Sequence, residues 1–290
     1  MLTPTIPAEV DGEPVTVERA PALATVSYGH FSALVVDELR VQGLAWHFER
    51  LVRDCAVVFG ASLDPERVRK LLHRVAVQCE RPTMLRATVF DPAANVARPG
   101  LTSADPQAQP SVLISTRALA PTVPSPGLRV RTTSFVRNLP TVKHLGAFGQ
   151  LHQRRLAQLA GFDDALFFTG PEPEARVTEG PSWNIAVLIG DELIWPDDQC
   201  LPGITRELLH QVFRQAGLGW TSRSVTRAEL AGARAAFATS VGVGVLPIAQ
   251  VDDALLPGDA RLLAELQAGY AQIPGDLLSD RPDLVSASAG

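Results

Sequence analysis

Hydrophobic and polar positions change their period several times along the chain, and each change marks an element. Residues 1–22, rich in proline and glutamate, carry no period and read as an irregular lead-in. From Leu23 to Val41 the pattern is strand-like, with apolar segments in ATVSY and SALVV and an acidic turn at Asp37-Glu38. Between His47 and Phe59, the residues Phe48, Leu51, Val52, Cys55, Val58 and Phe59 recur at helical spacing. A second helix opens at Asp64-Pro65-Glu66, with Asp64 as N-cap and Pro65 in the first helical position, and runs to about Gln78. MLRATVFD and PSVLISTR read as strands separated by a Pro/Ala/Gly-rich loop over residues 92–110.

The stretch Ala120-Pro-Thr-Val-Pro-Ser-Pro-Gly127 disfavours helix and strand alike, because proline fixes φ and removes an amide donor. It predicts an interdomain linker at residues 120–128 between an N-terminal domain (1–119) and a C-terminal domain (129–290). Beyond it come the strand LRVRTTSFV, a loop holding Lys143, and a helix from about Phe148 to Gly161. The strands ALFFTG, ARVTEG, WNIAVLIG and ELIWP follow. Gly203 opens another helix, with Leu208, Leu209, Val212 and Phe213 on one face and Gly217 as its stop. AAFATSVGVGVLPIAQVD reads as strand, turn, strand; a last helix covers Asp259 to Gln272, and the tail SASAG frays. Strands and helices mixed in two blocks predict a two-domain protein of the α/β or α+β class.

Composition narrows the partners. The chain has 290 residues, 46% hydrophobic and 20% charged, enough for two cores at roughly 150 residues per domain. A net charge of -5 argues against phosphate-neutralising nucleic-acid binding. No apolar run approaches the roughly 18 residues of a membrane span. The N-terminal MLTPTIPAEVDGEPV lacks the basic and apolar regions of a signal peptide, so a cytoplasmic location is expected. Cys55, Cys79 and Cys200 form no CxxC, and the six histidines form no HExxH, so neither a disulfide framework nor a metal site is expected.

Of 26 basic residues only two, Lys70 and Lys143, are lysine. A lysine kept where arginine is the rule is a candidate for work arginine cannot do, which is to deprotonate and act as a nucleophilic amine. Lys143, in a loop between a strand and a helix, is such a candidate, set against the reading of an exposed loop lysine. Glu179 in VTEGPSWN could pair with a protonated ring nitrogen, or be a turn acid. The amides of Gly203, Ile204 and Thr205 at a helix start could bind a phosphate, or the helix could simply be capped by Thr205. Thr239-Ser240 offers two hydroxyls in a turn. Lysine, carboxylate, helix start and hydroxyl turn are together the parts needed to hold pyridoxal 5′-phosphate.

At this point the chain resembles the class IV aminotransferases, the fold-type IV pyridoxal-phosphate enzymes. That group holds branched-chain and D-amino-acid aminotransferases, (R)-amine transaminases and aminodeoxychorismate lyases. The resemblance covers roughly residues 25–255 and is carried by VTEGPSWNIAVLIGDELIWPDDQCLPGITRELL, by GFDDALFF before it, and by HFERL near the N-terminus. It implies a small N-terminal and a larger C-terminal domain with pyridoxal 5′-phosphate between them. Lys143 would be the Schiff-base lysine and proton shuttle, and Glu179 the partner of the pyridine nitrogen. Arg50, the amides of Ile204 and Thr205, and the Thr239-Ser240 turn would hold the phosphate. The family implies a homodimer acting on a small-molecule amino donor and a 2-oxo acid acceptor.

The sequence departs from the family in two places. Tyr28-Gly-His-Phe-Ser-Ala-Leu stands where members often read YGdGvFEt, and Ala238-Thr-Ser-Val241 where they often read Ser/Thr-Gly-Thr-Ala. An aminotransferase is the leading expectation. The alternatives are a lyase releasing pyruvate from aminodeoxychorismate, with Ser32 near the substrate, and a non-catalytic protein keeping the fold. Arg137, six residues before Lys143, is the candidate for a substrate carboxylate; Tyr28 and His30 are candidates to line the substrate side.

Overall fold

The computed structural model describes residues 8–79, 82–95, 97–99, 109–117, 119, 127–216 and 219–279. These gather into two units. The first holds the described residues up to Leu119, Val142–Gly146 and those from Pro274 onward; the second holds the rest. Most of the linker expected at 120–128 lies outside the described residues, only Gly127 and Leu128 being within them.

The first unit begins where an irregular lead-in was expected. Strands β1 (Ala8–Val10) and β2 (Glu13–Pro14) form a tight hairpin, followed by the short helix α1 (Ala20–Ala24). Then come β3 (Gly29–Val36), β4 (Arg40–Val41), α2 (Leu44–Phe59), α3 (Pro65–Ala76), β5 (Thr83–Phe90) and β6 (Ser111–Arg117). The antiparallel sheet runs β2-β1-β6-β5-β3. On the other edge of β3 lies the Lys143 segment: Phe31 N–H donates to the Lys143 carbonyl and Leu145 N–H to the Gly29 carbonyl, both at 2.9 Å.

Side-chain alternation along β3 puts His30, Ser32, Leu34 and Val36 on the buried face. Helix α2 stops at Gly60, whose φ of 64° is one that residues with a Cβ seldom adopt. Asp64 caps α3 as expected, its carboxylate accepting from Glu66 N–H at 2.9 Å. Leu34, Leu51, Cys55, Leu72, Leu85 and Ile114 lie in the core of this unit.

The second unit holds β7 (Leu128–Ser134), α4 (Phe148–Leu159), β8 (Asp164–Thr169), β9 (Arg176–Val177), β10 (Asn184–Ile189), β11 (Glu192–Trp195), α5 (Ile204–Ala216), β12 (Trp220–Ser222), α6 (Arg227–Ala231), β13 (Ala235–Ser240), β14 (Gly244–Val251), β15 (Ala254–Leu255) and α7 (Ala260–Gln272). The sheet order is β12-β11-β10-β13-β14-β7-β8-β9, with β15 on β14. Both faces are covered, so β8 and β10 read as unbroken apolar runs. Leu166, Phe168, Ile185, Val187, Ala236 and Ile248 pack on one face. Ala186, Leu188 and Phe237 pack on the other, with Leu209 and Phe213 of α5 and Leu266 of α7. A final strand β16 (Asp276–Leu277) returns to the first unit and pairs with β4.

The expected strand ARVTEG is regular only over Arg176–Val177, and β12 and α6 were not anticipated. The α5 stop expected at Gly217 and the frayed tail from residue 286 lie outside the described residues.

Candidate active site

Helix α2 carries an apolar face that turns polar without leaving the interior. His47, Arg50 and Asp54 lie at spacings of three and four on the buried side, at 0%, 5% and 0% exposure. Strand β3 makes the same switch, from Leu34 and Val36 to Ser32 and His30, both fully buried. The two polar stretches meet: Arg50 Nη2 donates to Ser32 Oγ at 2.6 Å, and Ser32 Oγ is 2.7 Å from His47 Nδ1. Arg50 Nε has no hydrogen-bond partner, and among the described residues no carboxylate forms an ion pair with Arg50. Desolvation lowers the Arg50 pKa to about 10, with Asp54 opposing that fall and Arg53 adding to it.

Burial also keeps both histidines neutral. The His47 pKa falls well below its ordinary value through burial, then through Arg50 and Lys143. That of His30 falls to about 4, again through burial, with Asp54 opposing and Arg50 reinforcing. Among the described residues neither ring nitrogen of His30 has a hydrogen-bond partner.

Lys143 belongs to this unit through its backbone. Its N–H donates to Asp54 Oδ2 at 2.9 Å, while Asp54 Oδ1 accepts from Arg53 at 2.8 Å. Its ammonium lies 5.0 Å from the centre of the Phe31 ring. Tyr28 is 42% exposed, and its hydroxyl donates to the Val58 carbonyl at 3.0 Å. Tyr28, His30, Ser32, Arg50 and Lys143 are thus gathered in the first unit. His47 and Asp54, which sequence reasoning did not single out, sit among them.

The second unit gathers the others. Glu179 is pinned by its backbone, its carbonyl accepting from Phe167 N–H at 2.9 Å. Gly180 closes a turn onto the Trp183 carbonyl, and the Trp183 ring lies where a Cβ on Gly180 would stand. The Trp183 indole N–H donates to Asp164 at 2.8 Å, which makes it a packing residue of this turn. The Glu179 carboxylate accepts from Leu201 N–H at 3.1 Å and faces Arg137 Nη1 at 3.4 Å, with both side chains buried. Arg137, read from the sequence as a candidate for a substrate carboxylate, is therefore the ion-pair partner of Glu179.

Asn184 links the remaining pieces. Its Nδ2 donates to the Leu201 carbonyl at 2.8 Å, its Oδ1 packs against Gly203 where a Cβ would stand, and it pairs with Thr239 across the β10–β13 ladder. Gly203, not Thr205, occupies the N-cap of α5: its carbonyl accepts from Glu207 N–H at 3.1 Å. Glycine offers no capping side chain, so the first amides of α5 are available to an external acceptor. Ile204 and Thr205 are buried, at 4% and 2% exposure. Tyr270 stands by Thr205, which offsets part of the rise that burial imposes on the Tyr270 pKa. Ser240 ends β13 at the turn into β14. Glu179, Gly203, Ile204, Thr205 and Thr239 are thus held together through Asn184 and Leu201.

Each unit, taken by itself, offers a donor whose chemistry suits a phosphate. Arg50 is a buried cation with no ion-paired acid among the described residues, and α5 starts at a glycine, which has no side chain to cap it, followed by the buried residues Ile204 and Thr205. Among the described residues no group of acids, histidines and cysteines could hold a metal, and no helix is long and apolar enough to cross a membrane.

Comparison with known proteins places the chain in a family. The chain belongs to the family described as amino-transferase class IV, whose model matches residues 29–251. A branched-chain-amino-acid aminotransferase of Pseudomonas aeruginosa is 29% identical over 153 residues, 50% of this chain and 49% of that protein. The match thus spans about half the length of that curated relative. A branched-chain aminotransferase of Thermoproteus uzoniensis, solved with norvaline, superposes with a TM-score of 0.78 at 21% identity, covering 97% of each chain. A Legionella pneumophila protein described as a candidate 4-amino-4-deoxychorismate lyase superposes with a TM-score of 0.73 at 21% identity, covering 86% of this chain and 92% of its own. At such identities these structures establish the fold, which is that of the fold-type IV aminotransferases.

Proposed function

We propose that this protein is a pyridoxal 5′-phosphate-dependent aminotransferase that moves an amino group from a small amino donor to a 2-oxo acid. The observation that carries the reading is the buried Glu179 carboxylate, fixed by Arg137 and by the Leu201 amide of the turn that leads into α5. When bound, pyridoxal 5′-phosphate supplies an aldehyde that exchanges amines and a ring that accepts the electron pair left by a departing α-proton. Glu179 would hold a proton on the ring nitrogen, and Arg50 with the amides of Ile204 and Thr205 would bind the phosphate. Lys143 Nζ would be the amine that holds the cofactor's aldehyde carbon and, when free, would take up and return a proton at that nitrogen. The Asp54 bond to the Lys143 amide fixes the backbone from which this amine extends. The homodimer that the resemblance implies and a cytoplasmic location are part of the proposal.

The test is a visible absorption spectrum of the purified protein with pyridoxal 5′-phosphate while amino acids and amines are titrated in. Yellow absorption that gives way to that of the aminated cofactor is the expected result. Absorption that forms and persists while pyruvate is released from aminodeoxychorismate would identify the lyase instead. Lys143→Ala is expected to abolish borohydride-fixed attachment of the cofactor. Because Lys70 is the only other lysine, peptide mapping identifies the attached residue directly, and a label on Lys70 would overturn the assignment.

A further inference from the structure

The buried group formed by Arg50, Ser32 and His47 has a feature that the proposed activity does not require. Arg50 is held by a hydroxyl, which an imidazole holds in turn, and among the described residues no acid forms an ion pair with it. The guanidinium can only donate, so Ser32 Oγ is the acceptor of the 2.6 Å bond from Arg50 Nη2. The Ser32 hydroxyl proton is then available to His47 Nδ1 at 2.7 Å. Burial holds that imidazole neutral, which leaves Nδ1 able to accept. All three side chains are at least nine-tenths buried. A carboxylate in the place of Ser32 would orient the guanidinium equally well but would cancel its charge. The hydroxyl and neutral ring orient it without an ion pair, and among the described residues the buried Arg50 Nε has no hydrogen-bond partner.

We infer that Ser32 and His47 are positioning residues for Arg50, and that they set the preference of this site for a phosphorylated over an unphosphorylated ligand. The inference rests on the proposed role of Arg50 in holding the cofactor phosphate. It gives Ser32 a place behind the phosphate arginine rather than against the substrate.

The experiment compares equilibrium binding of pyridoxal 5′-phosphate and of pyridoxal by absorbance, with inorganic phosphate as competitor. It uses the full chain, Ser32→Ala, Ser32→Thr, Arg50→Ala and the double variant Ser32→Ala/Arg50→Ala. A hydrogen bond to a buried cation is worth roughly tenfold or more in binding. Ser32→Ala should therefore lower the preference for the phosphorylated ligand about tenfold and weaken competition by phosphate, leaving pyridoxal affinity nearly unchanged. Ser32→Thr, which keeps the hydroxyl, should restore the preference. In the Arg50→Ala background, Ser32→Ala should have no further effect on it. Equal losses for both ligands, an unchanged preference, or an additive loss beside Arg50→Ala would overturn the inference and leave the proposed function standing. A full chain that binds neither ligand would overturn both.

Discussion

His30 ties the stability of the first unit to pH. Its folded pKa is about 4 against an ordinary value of 6.5, because burial disfavours the imidazolium. Between those values the unfolded chain binds a proton that the folded chain does not. Stability contributed by the neutral ring is therefore fully present above about pH 6.5 and is lost as pH falls toward 4. The loss amounts to about 3 kcal/mol at 1.4 kcal/mol per pH unit. His47, lowered first of all by the same cause, acts in the same direction. Denaturant unfolding at pH 7 and pH 4.5 should show a smaller drop for His30→Leu than for the full chain. An equal drop would mean that the ring is solvated or paired when folded. These residues also show why part of the site was illegible in the sequence. Within HFERLVRDC the acid Asp54 and the arginine Arg50 look like solvent-facing positions, since charge ordinarily argues against burial. Only the meeting of α2 with β3 shows that they point inward. Arg50 takes its role from the family motif; His47 stands in the same HFERL segment with no role attached to it, and Asp54 has no signal of its own.

At the scale of elements, the start of α5 depends on one missing methyl group. Asn184 Oδ1 lies where a Cβ on Gly203 would stand, and the same Asn184 side chain holds the Leu201 carbonyl. Gly203→Ala is expected to force Asn184 aside, loosening the turn that presents Leu201 N–H to Glu179. The cost should be about 1–3 kcal/mol, as for other overpacked sites, with weaker cofactor binding in proportion. Thermal unfolding with and without pyridoxal 5′-phosphate checks this, and an unchanged difference between the two would show that the turn adapts. Long periodic elements such as α2, α3 and α7 are legible because their apolar positions repeat often enough to define a face, and β10 because it is a continuous apolar run. The hairpin β1–β2 was not, since strands of two and three residues carry no period and a Pro/Glu-rich segment reads as loop. Strand β12 escaped for the same reason. Helix α6 left a signal that was passed over: Thr226 and Glu229 form a capping box, at the spacing the motif requires. The Glu179, Asn184 and LPG segments were legible as motifs, but the bonds joining them cross 17 to 22 residues and leave no local pattern.

For the whole molecule, the path of the chain matters more than any one element. The first unit is completed by residues from late in the sequence. Strand β16 pairs with β4, Leu278 N–H donates to the Leu39 carbonyl at 2.7 Å, Asp276 accepts from Leu44 N–H at the start of α2, and the Leu278 side chain is fully buried in the first core. Leu278→Ala should therefore destabilise the N-terminal part of the protein by about 2–5 kcal/mol, the range for a buried leucine. Hydrogen exchange should report the loss in α2 and β3, and protection lost elsewhere instead would contradict the assignment. Segment Val142–Gly146 has a comparable place, bonded along the open edge of β3. Neither unit is thus a continuous stretch of sequence. Anyone who recombines halves of this protein with those of a relative by splicing in the proline-rich stretch would separate the N-terminal portion from the strand and segment that complete it. A workable chimera has to carry residues 142–146 and 274–279 with the N-terminal portion, so the natural unit of exchange is three pieces of sequence rather than one.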